Sequence, residues 1–357
     1  MNIKALKYLL VFSVPAFFVI GVYAGGILTW SAVIFAFGIV PLAELLFAPD
    51  PENAGAAEIE MRRRDRIYDV MLWAVLPVVY ACAVLYMTAL RDFSYSTIEI
   101  AGLTASLAVV LGGLGINVAH ELGHRPSKAE QTMGKLLLLP SGYMHFFTEH
   151  NFGHHKNVGT HDDPATSRKN ESLYAFWLRS VTSSYRSAWR IQKNMLKRAR
   201  RPFWSLSNDM LIFSFAQAAW WILIFAVFGA KIGLAYTLAA IGGFLLLETV
   251  NYIEHYGLSR KKESENRYER VKPVHSWNSD HVVGRLMLFE LSRHSDHHYQ
   301  PAKKYQLLDH HPESPQMPTG YPGMMLLSAL PPLWFAVMNP RIPGETEAAG
   351  PKVSAAA

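Results

Sequence analysis

One cysteine, Cys82, stands in a chain of 357 residues. A single thiol excludes an intramolecular disulfide and any thiolate cage for zinc or an iron–sulfur cluster, and Cys82, inside an apolar block, reads as a small core residue. C-x-x-C, C-x-x-C-H and a G-x-G-x-x-G run after a strand are missing as well, so no haem, flavin or nicotinamide site is encoded. Charge is scarce at 17% of residues, while half of the chain is apolar. The length alone suggests about two to three soluble domains. Long uncharged runs overrule that estimate.

Residues 70–90, 100–119 and 210–230 carry no charge at all. About 20 apolar residues in a helix span the roughly 30 Å hydrocarbon core of a bilayer. Residues 8–24, 27–48 and 232–256 complete six candidate transmembrane helices. The first could be a cleaved signal peptide, but its apolar run exceeds a signal core of about 7–15 residues, so a retained helix is expected. Lys and Arg concentrate in 49–69, with Arg62, Arg63, Arg64 and Arg66, and in 120–206, with fourteen basic residues. Such loops stay in the cytoplasm, which with six crossings puts both termini there. The formal charge of +6 is then largely a topology signal. It suits contact with anionic lipid headgroups, and no nucleic-acid module accompanies it.

The expected fold is therefore an all-α membrane protein of six transmembrane helices with a cytoplasmic histidine-rich cap. One membrane-embedded catalytic domain covers 1–341, with cytoplasmic parts at 120–206 and 257–341, and 342–357 form a disordered tail. Two apolar stretches do not cross: 134–147 is too short and belongs in or under the interface, while 321–338, interrupted by Pro331 and Pro332, is interfacial or packed. Residues 172–201 alternate aromatic or aliphatic with basic positions, as an amphipathic surface helix does. No internal repeat is visible.

Histidine is abundant, and it is clustered. "NVAHELGHRP" holds His120 and His124, four apart and so on one helical face. "EHNFGHHKNVGTHDDPAT" holds His150 and His154 at the same spacing, with His155 added. "LSRHSDHHYQP" holds His294, His297 and His298, again one face, and "NYIEHYGL" places His255 at the end of the sixth apolar block. The expected topology delivers all nine to one side of the membrane. Nine neutral imidazoles without a thiolate suit iron, zinc or copper. Nine ligands exceed one ion's capacity, so two metals are the natural count. Iron is favoured because its open sites activate dioxygen, whereas zinc changes no oxidation state. His145, His161, His275, His281, His310 and His311 read as ordinary polar residues.

Metal-bound imidazoles usually donate their second nitrogen to an acid or carbonyl. Glu121, Glu149, Asp162, Asp163, Glu254 and Asp296 lie in or beside the clusters, and Glu248 sits two turns before His255. Each could orient a ligand, and each could equally be salt-bridged. "HELGH" also fits the H-E-x-x-H pattern of zinc proteases, with Glu121 as base. That reading uses two histidines and leaves seven unexplained.

These four motifs, with the closing "SPQMPTGYPGMMLLSALPPLWFAVMNP", resemble those of the integral-membrane alkane 1-monooxygenases, or alkane ω-hydroxylases, within the membrane di-iron desaturases and hydroxylases. The resemblance runs from about 60 to 340. It implies a non-haem centre of two iron ions held by His120, His124, His150, His154, His155, His255, His294, His297 and His298. It implies electrons from rubredoxin, with a rubredoxin reductase upstream, and insertion of one oxygen of O2 into a terminal methyl group of a medium- to long-chain n-alkane, giving a primary alcohol. It further implies the bacterial inner (cytoplasmic) membrane, with the active site on the cytoplasmic side. An alkane has no polar handle, so only apolar burial holds it, at about 0.8 kcal/mol per CH2. Trp30, Phe35, Phe37 and Leu114 are candidate channel walls, against the plainer reading of helix packing. The alternatives are a related membrane di-iron hydroxylase or desaturase for an alkylbenzene or acyl chain and, from another class, an intramembrane zinc metalloprotease.

Overall fold

The computed structural model describes residues 3–265 and 267–343, and the expected tail falls outside them from 344 onward. Ile342 is buried and packs beside Gly257. Five helices are long and apolar enough to cross a membrane: α1 (Lys4–Ala24), α2 (Gly26–Leu46), α4 (Ile67–Asp92), α5 (Thr97–Gly123) and α9 (Asp209–His255). Between them lie α3 (Ala56–Arg64), α6 (Lys128–Leu138), the helical stretch α7 (145–157) and α8 (Leu173–Arg198). After α9 come a two-stranded hairpin, β1 (Lys262–Ser264) and β2 (Arg267–Tyr268), and the short helices α10 (Val282–Met287), α11 (His294–Tyr299), α12 (Tyr321–Ser328) and α13 (Pro331–Met338). That hairpin is the one sheet among the described residues.

The turn from α1 to α2 uses Gly25 and Gly26, both at positive φ (66° and 56°), a conformation that glycine adopts without a steric penalty. Glu99 ties this turn to α5: its Oε1 accepts from Gly26 N at 2.7 Å, while its Oε2 closes a capping box with Ser96. α1, α2 and α5 are thus registered against one another at one end.

α9 has 47 residues, roughly 70 Å of helix, twice the apolar thickness of a bilayer. It does not run straight. Gly229 takes φ 78° and ψ 173°, and the halves fold back on each other. Trp220 Nε1 donates to Tyr236 OH at 3.3 Å, and Trp221 Nε1 to Thr237 Oγ1 at 3.0 Å. The break expected near residue 231 is therefore present, two residues earlier. α5 crosses the second half of α9 at Gly112, where a Cβ would strike the backbone of Gly243. Paired small residues of this kind let membrane helices approach closely without a hydrophobic drive between them.

α8 is the expected amphipathic helix. Leu173, Phe176, Ser180, Ser184 and Ser187 face inward, and Arg186, Arg190, Lys193 and Lys197 face out. The 134–147 stretch packs against the main core, where Leu137, Leu138, Tyr143, Phe146 and Phe147 are all buried. The 321–338 stretch breaks at Leu330 into α12 and α13, because Pro331 cannot continue the preceding helix. Cys82 is a buried core residue, as expected.

Candidate metal centre

Four segments deliver histidines to one place: the end of α5, the middle of α7, the end of α9, and α11. They form two groups, in each of which every histidine offers one ring nitrogen and these nitrogens all lie within 4.8 Å of one another. The first contains His120, His124, His150, His155 and His297, and the second His154, His255, His294 and His298. In the first, His155 Nε2 lies 2.9 Å from that of His150 and 3.1 Å from those of His124 and His297. In the second, Nε2 atoms pair at 3.2 Å between His154 and His298 and between His255 and His294. The His155 and His298 rings stack at 4.4 Å, so the groups adjoin.

Helical spacing by itself does not divide the nine. It puts His150 with His154 and all three α11 histidines on one face. A turn of π-helix over His150–His154 changes this, because its five-residue hydrogen-bond step brings residues i and i+5 into line. His150 therefore joins His155, and His154 is turned to the second group. On α11, His297 faces the first group while His294 and His298 face the second.

The nitrogen geometry fits a cation. A neutral imidazole carries one N–H and one lone pair, so the His155 Nε2 cannot satisfy three neighbouring Nε2 atoms by hydrogen bonding. Nor does the buried Nε2 of His120 find a hydrogen-bond partner. Two nitrogens about 2.1 Å from a shared ion and at right angles to each other stand about 3 Å apart, the separation found here. Burial, and then the neighbouring imidazoles, hold His150, His155, His294, His297 and His298 far below the usual histidine range, and burial takes His124 down to about 3. Neutral imidazole is the ligating form.

Two of the expected acids touch these rings. Asp163 Oδ2 lies 2.9 Å from His154 Nδ1 and accepts from Thr166 Oγ1 at 2.5 Å, which leaves His154 Nε2 pointing at the second group. Glu254 Oε1 lies 3.2 Å from His294 Nδ1 and accepts from Tyr321 OH at 2.8 Å. The other five are placed differently. Glu248 accepts from Tyr143 OH at 2.7 Å and Ser180 Oγ at 2.6 Å. Asp296 is held by Lys303 Nζ at 2.6 Å and His311 Nε2 at 2.9 Å, pinning the underside of α11. Glu149 is buried with Ser187 as its hydrogen-bond partner, and desolvation pushes its carboxyl well above the usual range. Asp162 is exposed. Glu121 is gripped by Arg125 at 2.8 Å and by Tyr305 N at 3.2 Å, so the base that a zinc-protease reading needs is already engaged. Thr166, Tyr321, Lys303 and His311 carry no spacing signal that would single them out.

A largely apolar cavity of about 90 Å³ is lined in part by His120, His150 and His294, and so touches both groups. Phe37, Val109, Phe146, Leu246 and Leu291 are among its walls. Phe37, Val109 and Leu246 also line an open apolar groove that follows one face of α5 past Ala108, Ala105 and Ala101 to Thr97. The small side chains at these helical spacings leave the groove its width. Of the four expected channel residues, Phe37 lines both spaces and Leu114 an adjoining smaller one. Phe35 instead packs on Phe17 at 4.7 Å, and Trp30 lies against Gly102.

Residues 96–327 match the fatty acid desaturase family. The chain is 39% identical to an alkane 1-monooxygenase of Pseudomonas putida over 86% of its own length and 76% of that protein's. It is 37% identical to the alkane 1-monooxygenase of Ectopseudomonas oleovorans over 94% and 85% of the two chains. The chain belongs to the alkane 1-monooxygenases, within the fatty acid desaturase family. All nine histidines of this alkane 1-monooxygenase family member lie inside 96–327, while α1, α2 and α4 lie before it. A more distant relative, 27% identical over 96% of the chain, is the xylene/toluene monooxygenase hydroxylase component XylM of Pseudomonas putida.

Two outcomes follow from this geometry. Asp163→Asn, which keeps the shape but exchanges a strong acceptor for a weak one, is expected to lower metal affinity of the four-histidine group by about 10- to 100-fold, measured by competition with a chelator. Acid should destabilise the metal-free chain. His124 and His145 are both held down to about 3 by burial, whereas in the unfolded chain they titrate near about 6.5. Below that value the unfolded chain takes up protons that the folded one refuses, so stability is lost progressively from about pH 6.5 toward about pH 3. Thermal unfolding of the metal-free chain in detergent, run at falling pH, checks the sign.

Proposed function

We propose that the chain hydroxylates the terminal carbon of medium- to long-chain n-alkanes at a centre of two iron ions, one in each histidine group. The observation that supports this most directly is the largely apolar cavity lined in part by His120, His150 and His294. A charged or hydrogen-bonding substrate would find little to bind along Phe37, Val109 and Leu246. A hydrocarbon would gain about 0.8 kcal/mol for each CH2 it buries there.

Two irons, when bound and reduced, supply the oxygen-activating chemistry that zinc does not. The protein's part is placement. Asp163 sets the tautomer and tilt of His154, and Glu254 stands beside the Nδ1 of His294. The apolar walls keep water from the reacting end. The terminal C–H bond is the strongest in an alkane, so selectivity for it rests on a slot too narrow to present an internal carbon, not on intrinsic reactivity.

In this reading α1, α2, α4, α5 and the two halves of α9 are six crossings of the bacterial inner membrane, with both termini and the histidine centre in the cytoplasm. The groove along α5 then opens into lipid, where alkanes dissolve. Electrons come from rubredoxin, supplied by its reductase. The exposed basic row of α8, with Arg186, Arg190, Lys193 and Lys197, presents a positive face to an acidic carrier. Raising ionic strength is expected to slow reduction by rubredoxin, read by stopped-flow absorbance, while a salt-independent rate would count against electrostatic docking.

The deciding experiment is metal quantification of anaerobically purified chain, followed by oxygen exposure with reduced rubredoxin and alkanes from octane to hexadecane. About two irons per chain and primary alcohols are expected. One zinc and no alcohol would overturn the reading, and a product from xylene alone would move the substrate toward that of the XylM relative.

A further inference from the structure

Beside the cavity at the histidines lies a second apolar space of about 50 Å³, between α1, α2 and α5. Val14, Ala36, Val40 and Leu114 line it, and no charged side chain does. Its partition from the main cavity consists of Gly113, Leu288 and Pro322, which line both.

Gly113 is unusual among the glycines of α5. Gly112, one residue earlier, has no room for a side chain, because the backbone of Gly243 occupies the place. A Cβ on Gly113 would meet only Val109 Cγ1, at 3.9 Å. Packing therefore does not require glycine at 113, and its missing side chain leaves the partition thinnest there. The residue also sits in the turn of π-helix over Val110–Ile116, a distortion found often at functional positions.

We propose that this side cavity, reached across the thin partition at Gly113, is a dioxygen-binding pocket that feeds the metal centre. The assignment rests on the hydroxylase reading above. On the scale in which one water occupies about 10–15 Å³, the space accommodates a few small apolar molecules but not an octane. Water has no polar partners there, and apolar cavities of this kind stay dry and take up apolar atoms such as xenon. The alkane has its own entrance along α5, so a separate compartment lets oxygen reach the centre while the hydrocarbon fills the main slot.

Xenon binding to the metal-free, detergent-solubilised chain, followed by xenon NMR, tests the cavity without any turnover. Wild type is expected to bind xenon, and Ala36→Phe, which fills the pocket from the side away from the histidines, is expected to lose it. In the iron-loaded enzyme, Ala36→Phe and Gly113→Val should each raise the KM for oxygen by about tenfold, the equivalent of losing one well-buried apolar contact. Ala36→Phe should leave the KM for octane unchanged. Thermal unfolding of both variants separates a filled pocket from a damaged fold, and Val14→Phe replaces Ala36→Phe if the latter does not fold. No xenon bound by wild type overturns the proposal, as does an Ala36→Phe enzyme with an unchanged oxygen KM or a raised octane KM. A wild-type chain that makes no alcohol brings down the hydroxylase reading and the oxygen role with it, whatever xenon shows. Normal wild-type hydroxylation with an unaffected Ala36→Phe brings down the pocket alone.

Discussion

Replacing His298 by alanine is expected to leave a chain that binds about one metal ion where the unsubstituted protein binds about two, and to lower alkane hydroxylation by more than a thousandfold, beyond the roughly 100-fold ceiling of outer-contact changes. His298 belongs to the group of four, and its Nε2 stands 3.2 Å from that of His154. Three imidazoles would remain in that group, one ligand fewer to hold its ion against the chelating buffer of purification. The five-histidine group would keep its own ion. His155→Ala should be more damaging. Its Nε2 meets three others of the first group, and its ring stacks on His298 at 4.4 Å, so removing it loosens both groups at once. Metal content by plasma emission should therefore fall further in His155→Ala than in His298→Ala. Equal losses in the two variants would argue against two separate groups.

Val109→Trp is expected to divide substrates by length. Val109 stands with Phe37 and Leu246 where the inner cavity meets the groove along α5. An indole there closes the groove but leaves the space next to His120 and His150. A short alkane that fits inside keeps its contacts. A longer one loses the burial of every carbon beyond the block, about 0.8 kcal/mol each, so the four extra carbons of dodecane over octane lose about 3 kcal/mol, roughly 200-fold in kcat/KM. The ratio of dodecanol to octanol formed from a mixed substrate pool measures this directly. An unchanged ratio would mean that hydrocarbon enters by another route.

Much of the centre is legible in the chain before it folds. All nine histidines announce themselves by their spacing within four short motifs, and the lone cysteine removes thiolate alternatives. The parting of His154 from His150 is not legible in the sequence, because a π turn shifts the face by one residue, and residue spacing carries no sign of that extra hydrogen-bond step. The acids divide in the same way. Asp163 and Glu254 reach imidazoles, while Asp296, closer in sequence to three of them, faces Lys303 and His311 instead. Sequence distance states which residues are near, not which way a carboxylate points.

The sequence by itself determined that this is a helical protein built for lipid, with a nitrogen-rich metal site and no thiolate, because hydropathy, charge placement and residue type act locally and add along the chain. Tertiary structure alone decided that the nine imidazoles part into five and four, and that α9 doubles back at Gly229. It also decided that Gly113, not Trp30 or Phe35, borders the apolar cavity at the histidines. Those outcomes depend on how distant segments pack, and packing is settled by the simultaneous fit of many side chains that no single stretch contains.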